Sequence, residues 1–435
     1  MKTRISKILI ANRGVPAVRV MHTCRERKIQ TVAVYSTPDR LSQHVFSADE
    51  AVHIGEAPPA ESYLNMGAII AAAKSTGADA VHPGWGFLAE NAEFARKVQE
   101  AGLVWIGPEP DVIEAMGDKI AAKKRAIKAN VPTIPGLNGA AKPEEVIDWM
   151  KREEVSYPIM IKASQGGGGK GMLKVERDAD LAAAIDRARS EARKSFGNDT
   201  LLVEKYIERG RHIEVQIVAD TYGNVIHLYE RECTLQRRNQ KIMEEAPSPS
   251  INNDLRNEIC YTAVRLMREI GYTSAGTVEF LFDSNTRKFY FLEVNTRLQV
   301  EHGITELITG VDIVGMMIDI AEGKPFSFWQ QDIRPNRWAL EVRINAEDPK
   351  TFSPSFGPIT RLQVPQGPGV RLSPGVYEGC EVPPFYDSLL MLVMTAGADR
   401  DTAIAAMDRT LSWNFRVEGI RTLAPLLLAI IRHES

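Results

Sequence analysis

The chain has 435 residues, 44% of them hydrophobic and 25% charged, and a formal net charge of −3. That length allows roughly two to four domains, and the charge balance excludes the global basic surplus of a nucleic-acid binder, so phosphate chemistry must use locally placed charge. Cys24, Cys233, Cys260 and Cys380 form no C-x-x-C pair, and the sequence shows neither a signal-peptide core nor an uncharged run of about 18 residues, so a soluble, reducing, cytoplasmic setting is expected.

From residue 7 to about 107, short β-branched runs (KILIA, TVAVYS, AVHIG, AVHPG, LVWIG) alternate with segments 16–28, 62–75 and 90–101, whose apolar residues recur at helical spacing. That alternation predicts a parallel sheet covered by helices, an α/β first domain over 1–130. A linker rich in proline and glycine (VPTIPGLNG, 131–139) leads into a helix, strand, glycine loop, strand and helix, a small insert over 131–204. Residues 205–345 read as a larger α+β body that carries nearly all the unusual polar clusters. From 346 to 435, short strands punctuated by Pro and Gly (PITRLQVPQGPGVRL) lead to a final helix near 401–412.

Gln165 to Gly171 read QGGGGKG and contain G-x-G-x-x-G. A dinucleotide loop must open a helix, but the following MLKVE reads as a strand, and Gly171 stands where a Walker motif needs Ser or Thr. What remains is a glycine-rich hairpin loop lying over a polyphosphate with its backbone N–H groups exposed, Lys162 and Lys170 adding point charges. The alternative is a flexible surface turn, against which stands the entropy that four consecutive glycines lose on ordering.

In FYFLEVNTRLQVEH, Glu293, Asn295, Arg297, Gln299 and Glu301 occupy alternate positions, so in an extended chain these five polar residues share one face. A solvated strand face alternates in the same way, though more often with Thr, Ser or Lys. The preceding TVEFLFD carries Glu279, and a turn across DSNTRK sets Glu279 opposite Glu293 in one register. Two opposed carboxylates repel unless a cation lies between them; with Asn295 they form a hard-oxygen set suited to Mg2+ or Mn2+ shared with nucleotide phosphates. Upstream, His212, Glu214, Gln236, Arg237, Arg238, Asn239 and Lys241 gather basic and amide groups in strand-like sequence, which suits either anion binding or a charged exposed turn.

Together these segments resemble the biotin carboxylases from residue 7 to about 425. The resemblance is carried, in order, by ANRG at 11–14, HPGWGFL at 82–88, MGDK at 116–119, the glycine loop, EKYI at 204–207, RHIEVQ at 211–216, QRRNQK at 236–241, EVNTRLQVEH at 293–302, RINAEDP at 343–349 and PPFYDS at 383–388. It implies an ATP-grasp fold, with a Rossmann-like N-terminal domain (1–130), a lid (131–204), a central body (205–345) and a C-terminal biotin carboxylase domain (346–435). It also implies a ligase that uses ATP, Mg2+ or Mn2+ and bicarbonate to carboxylate biotin on a carrier protein via carboxyphosphate.

Carried over residue by residue, the resemblance makes Lys119, Lys162, Gly167, Gly168, Gly169, Glu204, Lys205, Tyr206, Ile207, His212, Gln236 and Asn239 nucleotide contacts, with Glu204 and Ile207 near the adenine. Glu279, Glu293 and Asn295 become the metal set. Lys241, Arg297, Gln299 and Val300 become the bicarbonate pocket, and Glu301 the group that deprotonates bicarbonate. Arg343 would stabilise the biotin enolate and be oriented by Asp387, with Trp85 also on the biotin side.

The chain departs from the family pattern at Val15-Pro16 (usually Glu-Ile), Trp85 (Tyr), Asn239 (His), Gly303 (Pro), Leu392 (Lys) and Leu423 (Asn). Trp85 removes a hydroxyl near the biotin site, Asn239 alters a nucleotide-side contact, and His22 replaces an Arg of bacterial dimer interfaces, which leaves a homodimer open. The sequence has no M-K-M carrier motif and ends at RHES, before the family's short final segment. The resemblance therefore implies a carrier and carboxyltransferase on another chain or missing part, and either an excised domain or a short subunit. Two other readings stay open at this point: an ATP-grasp ligase joining a carboxylate to an amine, and a non-catalytic subunit that has drifted at Trp85, Leu392 and Leu423.

Overall fold

A computed structural model describes residues 4–139, 142–164 and 172–433. Its first sheet has five parallel strands in the spatial order Glu50–Gly55, Gln30–Ser36, Lys7–Ile10, Ala80–His82, Val104–Trp105. These are the five β-branched runs read from the sequence. Helices Gly14–Glu26, Met66–Ser75 and Ala92–Glu100 cover the sheet, and two of them begin where an asparagine side chain satisfies an orphan N–H: Asn65 Oδ1 accepts from Ala68 N (3.0 Å) and Asn91 Oδ1 from Phe94 N (2.8 Å).

The insert folds as a separate four-stranded antiparallel sheet in the order Gly136–Asn138, Leu201–Lys205, Ile159–Ala163, Met172–Val175. Helices Pro143–Arg152 and Leu181–Phe196 pack Val146, Trp149, Ile185 and Ala188 against Ile159, Ile161 and Val203. The expected glycine loop, with Gly167, Gly168, Gly169 and Lys170, lies outside the described residues; the strands on either side of it pair antiparallel, as the sequence indicated. One expectation fails here. Gly136–Asn138 is not linker but strand, because its backbone pairs with Leu201–Lys205 (Leu137 opposite Val203), and that ladder overrides the proline and glycine composition.

The largest sheet has eight antiparallel strands, in the order Lys288–Asn295, Ser274–Asp283, Gly210–Ala219, Val225–Arg237, Gln240–Ala246, Trp338–Asn345, Leu389–Gly397, Val370–Pro374. It runs continuously across position 345. Helix Arg400–Ser412 forms as expected, but it is not the last: Ala424–Ile431 follows. Its sequence APLLLAII is apolar all round and gives no periodic signal, while Pro425 in the first turn presets the helical φ. The extended face expected over 293–301 is also broken. The strand stops at Asn295 and a new helix, His302–Thr309, starts directly after Glu301. Glu90, from the loop after Ala80–His82, accepts from Thr296 N (3.1 Å) and Arg297 Nε (2.8 Å), and this pulls the chain off the sheet.

His82 and His302 are buried where the domains meet. Burial pushes His82 down from the ordinary 6.5 to about 3, helped by Arg19 and His302, and pushes His302 down to about 4. Arg19 Nε donates to His302 Nε2 (3.1 Å), so the ring proton sits on Nδ1 beside the Gln299 carbonyl (2.8 Å). Both rings are neutral in the fold. Stability from this source is therefore full above pH 6.5, the unfolded value, and falls as pH drops toward the folded values, by up to about 1.4 kcal/mol per pH unit for each histidine. Thermal unfolding followed from about pH 7.5 to about pH 5 should show a falling midpoint, and His302→Gln should flatten the fall. A wild-type midpoint that stays constant over that range contradicts it.

Candidate active site

Every described residue marked from the sequence as nucleotide, metal, bicarbonate or biotin-side lines one cleft of about 1000 Å³. The small sheet supplies Lys162, Glu204 and Lys205, and Tyr206 and Ile207 follow directly. The large sheet supplies His212, Gln236, Lys241, Glu279, Glu293, Asn295 and Arg343. Segments linking sheet to helix supply Trp85, Arg297, Gln299, Val300 and Glu301, a helix start supplies Lys119, and strand-to-strand connections supply Asn239 and Asp387.

At one end, Glu279 stands opposite Glu293 in register, as one of the sequence alternatives required. Glu279 is held by Lys241 Nζ (2.9 Å) and Asn295 Nδ2 (2.8 Å), and His212 Nε2 lies 2.8 Å away as an ion pair without hydrogen-bond alignment. Burial would raise the Glu279 carboxyl, but Lys241 and His212 outweigh it and hold it well below the usual carboxylate range. Glu293 goes the other way, raised by burial and by the charge of Glu279 against a partial offset from Lys119. A divalent cation between the two removes both penalties, so the oxygens of Glu279, Glu293 and Asn295 fit Mg2+ or Mn2+. His212, Glu214 and Glu279 also offer ligand atoms within 4.8 Å of one another, but the Lys241 ammonium already serves Glu214 and Glu279 there.

Glu204, expected near the adenine, turns its carboxylate to two lysines: Oε1 accepts from Lys123 Nζ and Oε2 from Lys162 Nζ, both at 2.7 Å. Lys123 was not singled out by the sequence; its Nζ also donates to the Ile134 carbonyl (2.7 Å), which fixes Glu204 from behind. Arg238 and Asn239 form the two-residue turn between Val225–Arg237 and Gln240–Ala246, with φ of 50° and 64°. Both conformations are left-handed, a region that Asn, like the His usual in the family, adopts more readily than most residues.

Lys241 is the centre of the other end. Its ammonium donates to Glu214, to Glu279 and to Glu301 (2.7 Å). The fully buried Arg231 fixes Glu214 from behind, Nε to Oε1 at 2.6 Å. Glu301 is fully buried, and its second oxygen accepts from Arg343 (2.9 Å). Burial would raise Glu301, yet Lys241, Arg343 and Arg231 together hold it well below its ordinary value. Arg297 donates to the Gln299 side chain (2.9 Å) and to Glu90, so Arg297, Gln299, Val300 and Glu301 converge although they share no strand face.

Arg343 is not oriented by Asp387. The exposed Asp387 carboxylate accepts from Leu389 N (3.0 Å) and so shapes its own loop, while Arg343 Nε donates to Glu244 (2.7 Å). Glu244 lies on the neighbouring strand, and the register Glu244 opposite Glu341 places it on the same sheet face as Arg343. Leu392, where the family has Lys, stands opposite Arg343 on the other side and joins Trp85, Val15 and Met394 in one apolar cluster. Sequence reasoning missed Glu90, Arg231 and Glu244. The only signal for the last two was charge on both faces of strands too regular to be turns.

The fold and this cleft define an ATP-grasp enzyme. Residues 118–328 match the carbamoyl-phosphate synthase L chain ATP-binding domain, and residues 4–113 and 341–435 match the N-terminal and C-terminal domains of biotin carboxylase. The chain belongs to the biotin carboxylase family. It is 49% identical over 431 residues to the biotin carboxylase of Haemophilus influenzae, covering 99% of this chain and 96% of that one. It is 48% identical to a pyruvate carboxylase subunit of Methanothermobacter thermautotrophicus, covering 99% and 87%. The biotin carboxylase domain dimer of Hydrogenobacter thermophilus 2-oxoglutarate carboxylase, solved with MgADP, ADP and bicarbonate, superposes with a TM-score of 0.95 at 44% identity, covering 99% and 95%.

The departure at Gly303 has a steric cause. A Cβ there would meet Met394 Sδ at 2.3 Å and Glu341 Oε2 at 3.5 Å. Replacing glycine inside a helix by alanine normally stabilises, by up to about 1 kcal/mol. Here the overpacking decides the sign: Gly303→Ala should lose about 1–3 kcal/mol in chemical unfolding, and adding Met394→Val should restore most of it. A single variant as stable as the parent sinks this explanation.

Proposed function

We propose that this chain carboxylates biotin presented on a carrier, using ATP and bicarbonate, and that Glu301, Lys241, Arg297 and Arg343 carry the chemistry. The observation that supports this most is the placement of the buried, ionised Glu301 between Lys241 and Arg343, in one cleft with the Glu279–Glu293 pair. Bicarbonate becomes nucleophilic when Glu301 removes its proton, and its oxygen then attacks the γ-phosphorus of ATP, giving carboxyphosphate and ADP. Bonded to Lys241, Glu301 is a weak base. Bicarbonate in the pocket of Lys241, Arg297, Gln299 and Val300 draws on the same ammonium and so raises its basicity.

Lys119, Lys162, His212, Gln236 and Asn239, with residues 204–207, hold the nucleotide in this reading. Mg2+ held by Glu279, Glu293 and Asn295 supplies charge neutralisation at the phosphates. Carboxyphosphate releases CO2 and phosphate; the phosphate takes the N1 proton of biotin, and Arg343 stabilises the resulting enolate, which adds to CO2. Trp85 lines the biotin side.

We divide the chain into an N-terminal domain (1–130), a lid (131–204), a central body (205–345) and a C-terminal domain (346–435). Carrier and carboxyltransferase act from another chain or domain, a homodimer like that solved for the Hydrogenobacter thermophilus domain is one assembly open to this chain, and the cytoplasm is the setting. No helix among the described residues is long and apolar enough to cross a membrane. Near-equal identity to a biotin carboxylase and to a pyruvate carboxylase subunit is the reason this chain does not name the final acceptor.

Phosphate release and biotin carboxylation, measured side by side, test the roles. Glu301→Gln should lose bicarbonate-dependent ATP cleavage by about 10²- to 10⁴-fold, the usual effect of removing a general base. Arg343→Ala should keep some phosphate release while losing carboxybiotin, because carboxyphosphate still forms and decomposes in water. Bicarbonate-stimulated cleavage by Glu301→Gln, or wild-type coupling in Arg343→Ala, overturns the assignment.

A further inference from the structure

Behind Arg343, outside the residues that line the cleft, two glutamates face each other across neighbouring strands, Glu244 on Gln240–Ala246 and Glu341 on Trp338–Asn345. Glu244 and Glu341 are both buried. Glu244 Oε1 accepts from Arg343, but Glu244 Oε2 and both oxygens of Glu341 have no hydrogen-bond partner among the described residues. The other side of Glu341 is apolar: Met394 stands opposite it on Leu389–Gly397, and Gly303 of helix His302–Thr309 closes over its Oε2.

Three adjacent unsatisfied acceptors in a buried site carry a large penalty if all are anionic, and a single proton between two of them removes most of it. The charges that face Glu341 point the same way. They are Glu244, Glu301, Arg343 and Arg231, with Lys241 and Glu214 completing the cluster. With Glu279, which the same Lys241 ammonium also serves, five carboxyl groups thus share three cations.

We propose that Glu341 is a positioning residue that stays protonated and donates its O–H to Glu244 Oε2, so that Glu244 alone carries the negative charge that fixes the Arg343 guanidinium. Burial and the charge of Glu244 both raise Glu341 well above the ordinary carboxyl value, and burial raises Glu244 to about 7 against the opposing pull of Arg343. This rests on the role given to Arg343 above and deepens it. An ionised Glu341 would add a third anion beside Arg343, which Glu244 and Glu301 already pair, and weaken its hold on an enolate. As a neutral donor it keeps the guanidinium oriented and leaves its charge for the substrate.

The protonation state is tested without turnover. Infrared spectra of the whole chain near pH 8 should contain a carboxylic-acid C=O band, shifted in D2O, that disappears in Glu341→Gln. Its absence from the wild type overturns the proposal, and so does its persistence in the variant. Coupling, the ratio of carboxybiotin formed to phosphate released, tests the positioning role. Glu341→Ala, which leaves Glu244 Oε2 unpartnered, should lower coupling about tenfold, while Glu341→Gln, whose amide still donates, should restore it to within about threefold of wild type. A low ratio in both variants shows that the ionised carboxylate is needed and overturns the proposal; unchanged coupling in Glu341→Ala does the same. If the infrared band behaves as expected while Arg343→Ala retains coupling, the enolate role fails and the protonated pair stands.

Discussion

One buried ammonium organises this molecule. Lys241 reaches from a hairpin of the large sheet to three carboxylates that arise from three other segments: Glu214 on Gly210–Ala219, two strands away, Glu279 on the strand beyond that, and Glu301 at the mouth of a helix. None of these groups tolerates burial alone, because removing an isolated charge from water costs far more than a domain's net stability. Together, with Arg231 and Arg343 behind them, their charges offset one another. The same constraint fixes the Glu279–Glu293 pair, proposed for the metal, relative to Glu301, the proposed base, since Glu279 belongs to both ends of the cleft.

That arrangement bears directly on the chemistry. A carboxylate in a cation-rich pocket is ionised at neutral pH, yet its low pKa makes it a poor proton acceptor, and both properties come from the same contacts. A substrate anion that competes for Lys241 changes the second without losing the first. Arg343, proposed to face biotin, is held by Glu244 on one edge and by Glu301 on the other. The proposed base and the proposed enolate stabiliser are therefore bonded to each other.

Much of this was legible in the residues. The parallel sheet followed from alternating runs, and the opposition of Glu279 and Glu293 followed from two strands and one turn, because period-two patterning and short connections are local properties. The path from Asn295 to Glu301 was not legible, since what bends it is Glu90, about 200 residues away in sequence. The partner of Arg343 was misread for a related reason. Asp387 adjoins a recognisable motif, whereas Glu244 sits in IMEEAP, where one acid points inward and its neighbour Glu245 pairs with Arg400 at the surface. The departures at Trp85, Leu392 and Gly303 lie around Met394, and only packing relates them: two join it in one apolar cluster and the third would strike it if given a side chain.

The dependence of the site on Lys241 can be measured without substrates. Lys241→Met leaves buried carboxylates without their cation, a loss of roughly 3–5 kcal/mol when one partner of such a set is removed. With the cation gone, burial raises Glu279 and Glu301, so the folded variant binds protons more readily than its unfolded chain and recovers stability as pH falls. The thermal unfolding midpoint of Lys241→Met should therefore lie furthest below wild type near pH 8, and the gap should narrow toward pH 5.5. A gap of equal size at both pH values contradicts the account, because it would show that Lys241 packs against these groups without holding their charge.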